Sequence, residues 1–180
     1  MDLTQNHFEL FGFPVTFDID PEQLADRYRD LQRTLHPDRF ASAGDRERRL
    51  SVQRTAQVNE AFQTLKSPLQ RARYLLQLKG IRFDEERDTH LDPAFLMEQI
   101  ELREALAAVA QQADPLAALA VFMQDIRDRQ QAMETRLQIL LRQDDADSLD
   151  RAKQVIQEMQ FLLRLQQEAE ETEETLVDAL

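Results

Sequence analysis

Cysteine and tryptophan are absent from this 180-residue chain, which holds three glycines, six prolines and three histidines. Without cysteine there is no disulfide, no thiolate zinc site and no cysteine nucleophile. So few glycines and prolines argue for helices and against a turn-rich β protein. The histidines stand at positions 7, 36 and 90 and lack the short helical spacing of a zinc-protease motif, so no metal or other cofactor is expected. No run of eighteen apolar residues is present, which excludes a membrane-spanning helix. The first residues have neither the basic and apolar regions of a secretory signal nor an Arg-rich transit pattern, so a soluble cytoplasmic protein is expected.

What is present is apolar content of 42%, enough for folded cores, and a net charge of −12. The charge is unevenly placed. Residues 1–76 carry eleven Lys/Arg against eleven Asp/Glu, whereas residues 77–180 carry eleven against twenty-three. Inside the neutral half, residues 27–54 hold eight arginines and four acids. A small basic patch on an acidic chain disfavours nucleic acid, which needs net positive potential, and favours protein partners.

The apolar pattern predicts an all-α fold. Asp20-Pro21-Glu22-Gln23 reads as a helix start, with Asp20 as N-cap, Pro21 in the first helical position and Gln23 completing a box. Leu24, Tyr28, Leu31 and Leu35 then form one stripe of an amphipathic helix. His36-Pro37-Asp38 follows, and the proline ends the helix by disfavouring helical geometry before it and removing an N–H donor. The tripeptide is expected on an exposed turn. A further helix spans Arg46 to Leu65, with Leu50, Val58, Ala61, Phe62 and Leu65 inward. Ser67-Pro68 breaks it, and a short helix from Leu69 to about Leu78 ends near Gly80.

The second half predicts three helices. Asp92-Pro93 opens the first, extending to about Gln112, and Asp114-Pro115 opens the next. In that one, Leu116, Leu119, Met123, Ile126, Gln130, Met133, Leu137 and Leu140 alternate by three and four, a heptad seam. The last helix carries Leu149, Ala152, Ile156, Met159 and Leu163 and is expected to fade over Glu168 to Glu174. Short connections make neighbours antiparallel, hence a three-helix bundle.

In the first bundle helix Phe95, Leu102, Leu106 and Val109 share one face, while Leu96, Met97 and Ile100 fall elsewhere, flanked by Glu101 and Glu104. The second group either packs on a neighbouring element or forms an exposed apolar patch of the kind that marks a protein interface. Phe161, off the main stripe of the last helix, either extends that patch or covers the bundle edge.

The first part of the chain resembles a J-domain, the module that activates chaperones of the DnaK class. His7-Phe8-Glu9-Leu10-Phe11-Gly12 is similar to its opening turn, the Leu24/Tyr28/Leu31/Leu35 stripe to its second helix, and Val58 to Leu65 to the end of its third. His36-Pro37-Asp38 falls between the latter two. Asp26, Asp30 and Thr34 stand where that family often has basic residues, and this suggests a specialised chaperone partner. The run Ala94-Phe95-Leu96-Met97-Glu98-Gln99-Ile100-Glu101-Leu102-Arg103-Glu104 after a J-domain narrows the resemblance to the HscB-type co-chaperones of iron–sulfur cluster assembly.

That resemblance implies a J-domain helical hairpin over 1–76, a linker over 77–92 around the acidic stretch 84–88, and an antiparallel three-helix bundle over 93–180. It implies an HscA-type chaperone as partner of His36, Pro37, Asp38, Arg27, Arg29 and Arg33. It implies an IscU-type cluster scaffold as partner of Leu96, Met97, Ile100, Glu101, Glu104 and Phe161. A further acidic contact of the family falls on Ala108. Eukaryotic relatives often add a cysteine zinc site, so its absence favours a bacterial-type member. The nearest alternative is a J-domain co-chaperone with a different client. An enzyme with His36 as general base lacks a nucleophile, a phosphate cradle and paired carboxylates.

Overall fold

The computed structural model describes residues 5–35, 44–83 and 93–178. Every regular element among them is helical: α1 (His7–Leu10), α2 (Pro21–Leu35), α3 (Asp45–Lys66), α4 (Pro68–Leu78), α5 (Pro93–Ala108), a 3-10 turn (Val109–Gln111), α6 (Pro115–Gln143) and α7 (Ala146–Asp178). They fall into two compact units, Met1–Gly80 and Ile81–Leu180.

In the first unit the helix ends follow local chemistry. The Asn6 carboxamide accepts from the Glu9 N–H at 2.9 Å and the Glu9 carboxylate accepts from the Asn6 N–H at 3.0 Å, a reciprocal box that makes the opening turn a short helix. Asp20 accepts from the Glu22 N–H at 2.9 Å and the Gln23 N–H at 3.3 Å. The Gln23 side chain donates to the Asp20 carboxylate rather than reaching back to the backbone, so the expected box is only half formed. Gly80, at φ +80°, follows the Lys79 C-cap and its N–H donates to the Gln77 carbonyl, closing α4 in a left-handed conformation open to glycine.

Helices α2 and α3 run antiparallel, because Tyr28 stacks on Phe62 while the Leu35 carbonyl meets Ser51. Phe8, Leu24, Val58, Ala61, Leu65, Ala72 and Leu76 form the centre of this unit. Leu50 is only half-buried. His7 stacks on Tyr74 with ring centroids 4.2 Å apart, and the Tyr74 hydroxyl accepts the His7 backbone N–H at 3.1 Å, tying the start of the chain to α4. Partial burial there lowers the His7 pKa below 6.5, against the opposing charge of Glu60.

The second unit is built on α6 and α7, whose antiparallel pairing is marked by Gln130 with Gln166 and Arg136 with Glu158. Their connection turns at Asp144, which adopts φ +58°, and the Asp145 carboxylate then accepts from both the N–H and the hydroxyl of Ser148. Leu119, Ile126, Leu137 and Leu140 of the expected seam are buried, and Phe122 joins them. Gln130 is polar at a seam position because Gln166 answers it at 2.9 Å. Helix α5 is shorter than its periodicity suggests: Val109 to Gln111 tighten into a 3-10 turn, which brings the chain to the Asp114 N-cap of α6. Helix α7 is longer, because Ala169 is fully buried and Leu176 packs on the same core beyond the glutamates.

Candidate functional site

Two surfaces carry the residues singled out in the sequence, one on each unit. On the first, His36, Pro37 and Asp38 lie outside the described residues, as does the acidic stretch 84–88 expected as a linker. The helix that leads into the tripeptide is firmly anchored at its end. Leu35 is buried, and its carbonyl accepts from the Ser51 hydroxyl at 2.9 Å and the Thr55 hydroxyl at 3.4 Å. These two α3 hydroxyls satisfy a terminal carbonyl that has no intrahelical partner. Sequence periodicity gave no weight to Ser51, and its only signal was a small polar residue on an inward face.

The three arginines expected to act together on α2 divide. Arg27 turns inward: its Nη1 donates to the Phe11 carbonyl at 2.6 Å and its guanidinium lies 4.1 Å from the Phe13 ring centre. It braces the loop after α1, and it does not stand as a free charge beside the other two. Arg29 and Arg33 are exposed, and they pair with Asp26 and, at 3.4 Å, with Asp30. Each acid sits one turn before its arginine, so the two pairs mute the positive field of this face. Two acids noted as departures from the J-domain pattern, Asp26 and Asp30, therefore act directly on two of the arginines expected to meet the chaperone.

The second surface lies on α5. Phe95 and Leu102 are 7% and 6% exposed, whereas Leu96, Met97 and Ile100 are 43%, 58% and 51% exposed. One helix thus buries one apolar stripe and offers another to solvent. Glu101 and Glu104 are exposed beside Met97, and Arg103 is exposed on the opposite rim, where its guanidinium lies 5.3 Å from the Phe161 ring centre. Ala108 continues the Glu101/Glu104 line without a carboxylate.

Phe161 belongs to the core. It is 8% exposed and meets Phe95 edge-on with centroids 5.8 Å apart, inside the cluster that contains Leu102, Phe122, Ile126 and Leu165. It packs under the buried face of α5 and so takes the second of the two places expected for it, covering the bundle edge beside Arg103. An aromatic in the register of α7 cannot by itself reveal that Phe95 will cover it.

Two groups on α6 that periodicity does not single out, Asp125 and Arg129, stand at the edge of the buried stripe of α5. Arg129 of α6 bonds the Asp125 carboxylate at 2.8 Å and pairs with Glu98 of α5. The hydrogen bond to Asp125 chiefly, with both nearby negative charges, holds the guanidinium still more firmly protonated than an ordinary arginine. Among the described residues no group of three His, Cys, Asp or Glu is arranged to hold a metal ion, and no helix is long and apolar enough to cross a membrane.

Comparison with known proteins places these features in a family. The family described as the HSCB C-terminal oligomerisation domain matches residues 91–170, which include α5 and most of α7. A co-chaperone HscB homologue from Shewanella amazonensis is 44% identical over 96% of this chain and 99% of its own. One from Vibrio cholerae is 45% identical over 96% and 99%. Among solved structures, the chaperone HscB from Vibrio cholerae matches with TM-score 0.86 at 43% identity, over 96% of this chain and 99% of that one. The human co-chaperone HscB matches with TM-score 0.86 at 30% identity, over 96% and 84%.

Proposed function

Because the chain belongs to the HscB family of co-chaperones, we propose that it brings an IscU-type iron–sulfur scaffold to an HscA-type chaperone and stimulates that chaperone's ATPase. The observation that carries this reading is the exposed Leu96, Met97 and Ile100 on α5, opposite the stripe that packs into the bundle. Three adjacent apolar side chains in water gain free energy when a partner covers them, about 1.5–3 kcal/mol for each one fully buried. The thioether of Met97 adapts to an irregular partner, while Glu101, Glu104 and Arg103 supply a charged rim.

His36, Pro37 and Asp38 form the second contact, between the ends of α2 and α3. Asp38 offers a carboxylate, His36 a planar donor and acceptor, and Pro37 restricts the backbone and so reduces the entropy lost on docking. Arg29 and Arg33 guide approach to an acidic chaperone surface. The chain supplies no reacting group. It binds one chaperone conformation better than the other and so shifts the population toward hydrolysis. Carrying both contacts on one chain raises the effective concentration of client beside chaperone. The domains of this reading are a J-domain over 1–76, a linker over 77–92 and a scaffold-binding bundle over 93–180, working in the cytoplasm.

The test is steady-state ATPase of an HscA-type chaperone with the purified chain and an IscU-type scaffold. The chain alone should hydrolyse no ATP. It should raise chaperone turnover, and further so with scaffold present. No stimulation at saturating chain, with no scaffold retained by the immobilised chain, would overturn the reading.

A further inference from the structure

Helix α5 presents an unusual problem of specification, because it is apolar on two sides. At about 100° per residue, Phe95, Leu102, Leu106 and Val109 fall within roughly 60° of one another, and Leu96, Met97 and Ile100 occupy a second sector centred roughly 150° away. The two sectors offer similar apolar chemistry. Burial alone therefore distinguishes weakly between the observed setting and one with α5 rotated by nearly half a turn, which would hide the second sector and expose Phe95 and Leu102.

The polar contacts of α5 are placed where they break this ambiguity. Glu98 lies on one edge of the buried stripe, roughly 60° from Phe95, and pairs with Arg129. Arg129 is itself held by Asp125 at 2.8 Å one turn earlier on α6, so the cation is directed before α5 meets it. Arg103 lies on the other edge, roughly 80° from Phe95, with its guanidinium 5.3 Å from the centre of Phe161. Glu98 and Arg129 are partly shielded, at 40% and 36% side-chain exposure. Rotation by half a turn would break the Glu98 pair and lift Arg103 from its ring.

We propose that the Glu98–Arg129–Asp125 bridge is a rotational lock on α5, which makes Arg129 a positioning residue for the scaffold-binding stripe. Arg129 acts here through α5 and touches no partner. A polar group that selects one arrangement among apolar alternatives is the best-attested use of such interactions in helical assemblies. The link to scaffold binding rests on the function proposed above. The lock itself does not.

Absence of cysteine allows a direct test, since labels enter only where cysteines are introduced. Ala105→Cys on α5 and Gln131→Cys on α6, both at exposed positions, would carry spin labels in the full chain. Their distance distribution should broaden or become bimodal with Arg129→Gln and with Glu98→Gln, and the double variant should be no broader than either. Arg136→Gln, which removes an α6–α7 pair, should leave it unchanged. Affinity for a purified IscU-type scaffold should weaken about five-fold with Arg129→Gln, the loss appropriate to one partly exposed ion pair. An unchanged distribution in Arg129→Gln overturns the lock, whether affinity falls or not. A broadened distribution in a chain whose unmutated form binds no scaffold would uphold the lock and overturn the proposed function.

Discussion

The α2 face and the α5 face differ in how each spends its chemistry. On α2 the charges that look available in one dimension are largely engaged at home: Arg27 with Phe11 and Phe13, Arg29 with Asp26, Arg33 with Asp30. On α5 the apolar side chains that look surplus in one dimension do remain open to water. A long charged side chain can turn toward a local opposite charge at little cost, whereas an apolar side chain on a rigid helix is buried only if something lies over it. Muted charge suits approach and orientation, and open apolar area suits holding on.

The largest effect should come from the tripeptide after α2. His36→Gln or Asp38→Asn should abolish stimulation of an HscA-type ATPase and leave scaffold binding as it was. Full stimulation by either variant at saturation would remove the division of labour between the two faces.

Replacing Leu96, Met97 and Ile100 together with Ala should weaken scaffold affinity by about 3 kcal/mol or more, with little change in melting temperature. The matched replacement of Phe95, Leu102 and Leu106 should do the opposite first, costing about 2–5 kcal/mol of stability for each large buried side chain. Calorimetric binding and thermal melts of the two triples measure the contrast. Loss of stability with unchanged affinity in the first triple would make that stripe a packing surface.

A smaller effect is expected on α2. Arg33→Glu should slow association with the chaperone by about two- to five-fold, and Asp30→Asn, which removes one negative charge beside Arg33, should speed it by less. Both differences should shrink as salt rises. Stopped-flow association rates that ignore both substitutions and salt would make the α2 pairs an ordinary solvated face.

The smallest effect concerns His7. Its folded pKa lies below 6.5, so as pH falls through that value the unfolded chain takes up the proton first and the first unit loses stability. The loss levels off once the folded form is protonated too. His7→Phe, which keeps a ring against Tyr74, should flatten this part of the stability–pH curve in denaturant titrations. A profile unchanged by the substitution would place the sensitivity on other groups.

Much of the fold was legible because helix ends are local events. Asp20, Asp114 and Gly80 act through the residues beside them, and the Leu119, Ile126, Leu137 and Leu140 spacing needs only helical geometry to become a seam. The division of the apolar residues of α5 into two faces also followed from spacing, whereas the exposure of Leu96, Met97 and Ile100 did not. Which stripe would be buried did not follow with the same force, since both are apolar. The extra length of α7 was hidden by its run of glutamates, which mask the contacts of Ala169 and Leu176.

By itself, then, the order of residues determined an all-helical chain, its main breaks, and the two stretches that bear the family's likeness. The tertiary structure alone decided that Phe161 lies beneath Phe95, that Arg27 faces its own loop, that Ser51 and Thr55 hold the end of α2, and that Arg129 reaches Glu98 from thirty-one residues away. The reason is range. Caps and periodicity are set within a few residues of chain, whereas burial of a ring or the partner of a cation depends on which distant helix arrives beside it.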